Sequence, residues 1–394
     1  MKYQLLSMPS EKVLVKGGID RLFSPQAELK HWVKVKEDKY IQQPLPGATF
    51  AEGISWLLNN LQQEGIIEEV EDLDAIVHKL AHGGESFKEP TEITEEVLTT
   101  IKSLYNLAPV HLPPAVEGIE VCAKLLPNIP QYAVFETYFH QTVPSYAYMY
   151  GIPYEWYEKY GIRKYGFHSV SHSYVTVESA KILGRSSKDL KIVSCHLGSG
   201  TSVAAIKGGV SVDISSGLTP QSGTIMSTRP GDFDPWVILA MMDRLGLSTK
   251  EINDILIKEG GLRGISGVSG DMRDLEKAAQ EGNSRANLAI EVFCYQVKKY
   301  IGAFAAVMNG LDALVFTGGI GEKSPEIRAK ICKDLDYLSV YLDPEKNQRN
   351  NQAIISDKNS RVAILVIEAN EELMIARQVY NLRENKTAQE KIRQ

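Results

Sequence analysis

Residues 191–235, KIVSCHLGSGTSVAAIKGGVSVDISSGLTPQSGTIMSTRPGDFDP, decide how the chain is read. Lys191–Leu197 predicts a buried strand. The apolar run then breaks at Gly198-Ser199-Gly200, where the missing Cβ atoms let a backbone approach a phosphate closely. Ser202–Ile206 predicts a second strand, Gly208-Gly209 a tight turn and Val210–Ile214 a third strand. A glycine-lined hairpin tip can hold phosphate oxygens through its N–H groups. An ordinary exposed turn has the same composition, so the motif gains meaning only from the rest of the chain.

The 394 residues suffice for two domains with full cores, and 43% apolar against 23% charged residues is the balance of a soluble globular protein. A net charge of −6, with Lys and Arg spread along the chain and no basic block, argues against a nucleic-acid partner but leaves room for a small anion held locally. Cys122, Cys195, Cys294 and Cys332 lie far apart without a C-x-x-C pair, which suggests neither a disulfide framework nor a zinc site. Reduced thiols in a cytoplasm are the expectation. No charged and then apolar leader opens the sequence, and no run of eighteen apolar residues occurs, so neither export nor a membrane is expected.

Outward from the central stretch, strands and helices alternate, the pattern of an α/β protein. Strands are expected at Tyr3–Leu6, Val13–Val15, Leu73–Val77, Tyr132–Phe135, Ala313–Phe316 and Val362–Ile367. Helices are expected over 48–64, 92–107, 118–126, 168–183 and 235–245, with Ser248 and Glu251 at capping-box spacing before another. Residues 260–270 read as a loop and 271–279 as a short helix. Ser284–Met308 is the longest helix, with Ala289, Phe293, Val297, Ile301, Phe304 and Met308 on one face. Thr317-Gly-Gly-Ile-Gly-Glu322 predicts a glycine loop between strand and helix, a second phosphate cradle roughly 120 residues after the first. Asn370 caps the last helix, and the polar tail after Glu384 is expected to fray.

No P-loop, protein-kinase motif set or G-x-G-x-x-G is present. His78 with His82, and His168 with His172, stand at i and i+4, a spacing that could bind zinc on a helix; both pairs lack the H-E-x-x-H glutamate, and such pairs beside Gly and Tyr more often satisfy local hydrogen bonds or meet an anionic substrate. Arg229, between Thr228 and Pro230, is either a surface arginine or an anion contact. Glu371 and Glu372 complement a helix dipole without any further role.

F-H-Q-T-V-P at 139–144, K-Y-G-F-H at 164–168, C-H-L-G-S-G at 195–200, S-T-R-P-G-D-F-D-P at 227–235, D-M-R-D at 271–274 and F-T-G-G-I-G-E at 316–322 together resemble the acetate kinases, in order and spacing, over nearly the whole chain. The resemblance implies two RNase H-like α/β domains, the fold of acetate and sugar kinases, Hsp70 and actin, with the active site in the interdomain cleft. It divides the chain into 1–137 plus 373–394, an acyl-kinase domain, and 138–372, a nucleotide-binding and dimerisation domain. It implies a cytoplasmic homodimer that passes the γ-phosphoryl of ATP reversibly to acetate, giving acetyl phosphate and ADP, with Mg²⁺ or Mn²⁺. Carried over by motif position, Arg229 and His168 stabilise the transferring group, Glu136 takes the place of the catalytic aspartate, and His111 and His196 assist. His196, Leu197, Gly198, Ser199 and Gly200 wrap the phosphates. Asp271, Met272 and Arg273, with Gly319, Ile320, Gly321, Glu322 and Lys323, hold the nucleoside end, and Glu371 binds the metal.

The departures matter too. The family's N-x-G-S-S-S-L-K loop has only its end at Met1-Lys2-Tyr3-Gln4, so a first strand, a metal-holding asparagine and a serine-rich turn are expected to be missing. The substrate-binding arginine is Lys79, which keeps the charge but loses the bidentate fork. The apolar wall of the acyl pocket becomes Ala81, Val110, Phe167 and Pro220; two of these are smaller than the family's residues, leaving room for a longer acyl group. A propionate or butyrate kinase, or a nucleotide-binding relative with little activity, are the alternatives at this point.

Overall fold

The computed structural model describes residues 1–35, 38–349 and 352–393, and its chain falls into two units, residues 1–138 with 370–394 and residues 139–369. In the first unit four consecutive strands, β1 (Lys2–Ser7), β2 (Lys12–Asp20), β3 (Glu28–Val33) and β4 (Lys39–Pro44), pair antiparallel in chain order. Along β3 burial alternates, with Leu29, His31 and Val33 buried, so one face of the meander is turned to a core. The sequence reading found β1 and the start of β2 and missed β3 and β4. Gly17, inside β2, lies under Tyr3: a Cβ there would stand 2.5 Å from the Tyr3 hydroxyl. It is a close approach within a strand rather than a turn.

A second, three-stranded sheet follows in the same unit: β5 (Ile76–Leu80), β6 (Thr91–Glu92) and β7 (Gln131–Phe135), in the order β5-β7-β6, with β5 and β7 parallel. This unit thus carries two sheets; among the described residues no ladder joins β1 to β5, and the helix Glu371–Arg393 packs on both. That helix runs past Glu384, so the expected frayed tail is helical to Arg393. The helix expected from Gly118 starts at Leu112, because Pro113 and Pro114 occupy first-turn positions where no N–H is needed. The one expected over 92–107 is confined to Glu95–Ser103 by its Thr94 cap, with β6 just before it.

The second unit has one five-stranded sheet, β8 (Lys191–Leu197), β9 (Thr201–Lys207), β10 (Val210–Ile214), β11 (Ala313–Thr317) and β12 (Ala363–Val366), in the order β10-β9-β8-β11-β12. β8 pairs antiparallel with β9 and parallel with β11. Successive side chains serve opposite layers: Val193, Cys195 and Leu197 pack in the core of the long helix Ser284–Met308, while Ile192 packs with Val175 of the helix Ser169–Leu183. Ala289, Phe293, Val297, Ile301, Phe304 and Met308 are buried, as their spacing predicts. The expected loop 260–270 contains a short helix, Gly261–Ser266, opened by Gly261 at φ 61°.

The expected glycine loop after β11 is instead the short helix Gly318–Lys323, entered directly from the strand. Gly318 makes that junction possible: its φ is 76°, and a Cβ would lie 2.8 Å from the Leu197 carbonyl oxygen at the end of β8. Gly318→Ala is therefore expected to destabilise the protein by about 1–3 kcal/mol, through strain and backbone displacement together. Chemical denaturation measures it, and an unchanged midpoint would contradict the assignment of strain.

Candidate active site

The candidate residues gather in two clusters, one in each unit. In the first, Lys79 projects from β5, Glu136 follows β7, and Glu371 opens the last helix, which Asn370 caps by accepting the Leu373 N–H at 3.2 Å. Parallel pairing fixes the first two, since the Glu136 N–H donates to the Leu80 carbonyl at 2.8 Å. The Lys79 ammonium bridges the carboxylates of Glu136 and Glu371. Burial opposes that charge, but the two acids outweigh it and hold the ammonium above its ordinary pKa. Burial raises the pKa of Glu136; Lys79 works against the rise and Glu371 adds to it. Glu136 Oε2 is buried with no hydrogen-bond partner among the described residues. His111 is the exposed N-cap residue of the helix Leu112–Leu125 and makes no side-chain cap bond, Val110 beside it is 76% exposed, and Ala81 is half-buried just beyond β5.

In the second unit the strand ends of β8 and β11 lie side by side, with His196 opposite Thr317 in the parallel register. Ligands of α/β sheets bind beyond such carboxyl ends. His168, at φ 56°, is the N-cap residue of the helix Ser169–Leu183, and its ring stacks on His196 with centroids 4.2 Å apart. The Ser202 hydroxyl meets His168 Nδ1 at 2.8 Å and His172 Nε2 at 2.7 Å, while Ser194 meets His172 Nδ1 and Ser171 meets His196 Nδ1, both at 2.8 Å. Burial, then the neighbouring His140 and His196, hold His172 well below its ordinary pKa, so it is a neutral member of the network. His140, donating to the Phe167 carbonyl at 3.0 Å, is held by burial at about 4.

Arg229 reaches the same place from the loop that follows. Its Nη1 donates to the Pro220 carbonyl at 2.7 Å, and burial lowers the guanidinium pKa. A Cβ built on Gly200 would lie 2.9 Å from Arg229 Nη2 and 3.1 Å from His168 Nε2. A cation and an imidazole nitrogen thus converge over the one residue of the tip that leaves them room. Gly200→Ala is expected to lower turnover by about 10- to 100-fold with little change in melting temperature, since the methyl displaces the side-chain ends of Arg229 and His168 rather than backbone. Unchanged turnover would refute the convergence.

The remaining expected residues divide. Ser199 is tied to the arginine loop, its carbonyl accepting the Ser227 N–H at 3.2 Å. A Cβ at Gly198 would lie 3.8 Å from His196 Nε2, and Gly319 faces open space. Leu197 and Met272 are core side chains, 0% and 3% exposed, so only their backbones are available to a ligand. Asp271 caps the helix Met272–Gln280 and is bound by Arg273, which lowers its pKa; both are occupied with one another at the surface. Glu322 accepts the Ala369 N–H at 2.9 Å, the buried Arg328 ties the Gly321 and Glu322 carbonyls at 2.8 Å, and Ile320 packs partly against the core. Lys323 is exposed. Phe167 is buried and Pro220 half-buried in this unit. The sequence reading missed Ser171, Ser194, Ser202 and the linking role of His172. The i, i+4 spacing of His168 and His172 was the available signal, but the serines that bind them come from β8, β9 and the helix itself and carry no motif.

The family model for the acetokinase family matches residues 1–377. The chain is 49% identical over 389 residues to acetate kinase of Carboxydothermus hydrogenoformans, covering 98% of this chain and 97% of that protein. Among solved structures it is similar to Porphyromonas gingivalis acetate kinase, with TM-score 0.91 and 39% identity over 97% of this chain and 96% of that one. It is also similar to a propionate kinase from Francisella tularensis, with TM-score 0.89 and 40% identity over 96% of this chain and 95% of that one.

Proposed function

The chain belongs to the acetokinase family, with the acetate and sugar kinase fold, and from that membership we propose how its residues divide the work of phosphorylating acetate from ATP. A carboxylate oxygen of acetate attacks the γ-phosphorus, the bond to the β-phosphate oxygen breaks, and acetyl phosphate and ADP result. Such a transfer asks the protein to position donor and acceptor and to neutralise charge on the equatorial oxygens. Arg229 and His168 do this from the second unit, and the observation that carries the reading is their convergence over Gly200. His196 supports the ring of His168 by stacking, and the turn 196–200 together with 319–323 and the backbone of 271–273 receives the nucleotide.

In the first unit Glu371 would hold Mg²⁺ or Mn²⁺, with Glu136, in the catalytic aspartate's place, beside it. Two hard carboxylates, one with a buried oxygen lacking a partner among the described residues, fit the oxygen chemistry of a dication. A dication held there would offset the charge of the phosphate oxygens during transfer. Lys79 orients both carboxylates, and His111 assists at the acceptor side. Ala81 and Val110 of the first unit, and separately Phe167 and Pro220 of the second, are the apolar candidates for the acyl group. We further propose a cytoplasmic homodimer. The four free cysteines suit the compartment, and no described helix is long and apolar enough to cross a membrane. The helix Trp236–Leu245, apolar at eight of ten positions and nowhere buried, offers a contact for a second copy. The test is trapping of acetyl phosphate with hydroxylamine. Hydroxamate that requires ATP, acetate and a divalent cation supports the reading, and ATP consumption independent of acetate would refute it.

A further inference from the structure

We infer that Gln296 and Tyr300 position Arg229 for phosphoryl transfer by pinning both limbs of its loop to the long helix Ser284–Met308. The two residues are one turn apart, at i and i+4, and so share a helix face. Gln296 Oε1 accepts the Ile225 N–H at 2.6 Å. The Tyr300 hydroxyl donates to Asp232 Oδ2, and Asp232 Oδ1 accepts the Gly223 N–H at 2.7 Å. Burial first, and Asp232 next, raise the Tyr300 phenol above its ordinary pKa, so it stays a donor. The limbs are then cross-tied: the Asp232 N–H donates to the Gly223 carbonyl at 2.8 Å and the Met226 N–H to the Arg229 carbonyl at 3.0 Å. Gly231, at φ 72°, lets them close, since a Cβ there would stand 2.6 Å from the Gly223 carbonyl oxygen.

This loop carries no helix or strand of its own between Gly217 and Pro235. The position of the Arg229 guanidinium is therefore set by these ties and by its bond to the Pro220 carbonyl, together with the bonds that hold residues 226–228 to Ser199, Ile257, Leu262 and Arg263. A misplacement of about 1 Å in such a group costs on the order of 100-fold in rate, so looser anchoring acts on kcat before it acts on binding.

The inference rests on the role assigned to Arg229, and the experiment separates the two. In the full chain, Tyr300→Phe and Gln296→Leu are each expected to lower kcat about 10-fold, with KM for acetate and ATP within about twofold. Gln296→Glu, which keeps an acceptor for the Ile225 N–H, should recover most of the loss. In an Arg229→Ala background Tyr300→Phe should add no further loss, because both changes remove the same interaction. Full turnover in Tyr300→Phe and Gln296→Leu beside an impaired Arg229→Ala overturns the inference alone, as does an undiminished extra loss in the double variant. Near-normal turnover in Arg229→Ala overturns the role of Arg229 itself.

Discussion

Arg229→Ala is expected to lower kcat by about 100- to 1,000-fold, the usual cost of losing one preorganised donor to a developing charge. Its melting temperature should stay within a few degrees, because among the described residues the guanidinium makes one hydrogen bond, to the Pro220 carbonyl, and the loop is closed by backbone ties that survive the substitution. Burial already works against its charge, so the free enzyme gains nothing from holding it; the charge is repaid when the equatorial oxygens approach. Arg229→Lys should recover only part of the rate, since a point charge cannot span two oxygens as the planar fork does. Pre-steady-state turnover with saturating acetate and ATP measures the effect at the chemical step. A variant with ordinary kcat and raised KM would mean that Arg229 binds ground state and transition state alike, contrary to the role proposed.

How much of this could be read from the sequence follows from the range of the forces involved. The strands around residues 191–214 and the long helix were legible because burial imposes a period of 2 or 3.6 on neighbouring residues. β4 was not: its residues, KYIQQP, are mostly exposed, and the strand exists through pairing with β3. Gly318 was seen as part of a loop, but its reason is the Leu197 carbonyl, supplied by a strand far away in the sequence. The motif residues His168, His196 and Arg229 were legible through resemblance, and the structure adds that the first two are stacked and that Arg229 and His168 meet over Gly200. Ser202, Gln296 and Tyr300 were silent, because one hydroxyl or amide looks like any other until its partner across the fold is known.

Lys79→Met is expected to lower kcat/KM about 100-fold and to destabilise the protein in a pH-dependent way, because it removes the cation between two acids. Breaking a fully buried ion cluster costs about 3–5 kcal/mol; the Lys79 side chain is 38% exposed, and solvent screening brings the expected loss to about 1–3 kcal/mol near neutral pH. The sign of the pH dependence follows from Glu136. Its folded pKa is raised, chiefly by burial, so its contribution to stability is full below the ordinary carboxylate range and is lost as pH rises through the folded value. Lys79 limits that loss, and its own raised pKa keeps its contribution present below the ordinary lysine range. Without Lys79 the pKa of Glu136 rises further, and the difference between wild type and variant grows as pH rises above the ordinary carboxylate range. Lys79→Arg, which keeps the charge, should retain most of the stability and should not show the growing gap. Thermal unfolding of the three proteins at pH 5 and pH 8 decides the matter: an equal loss for Lys79→Met at both values would show that the ammonium does not govern the ionisation of Glu136.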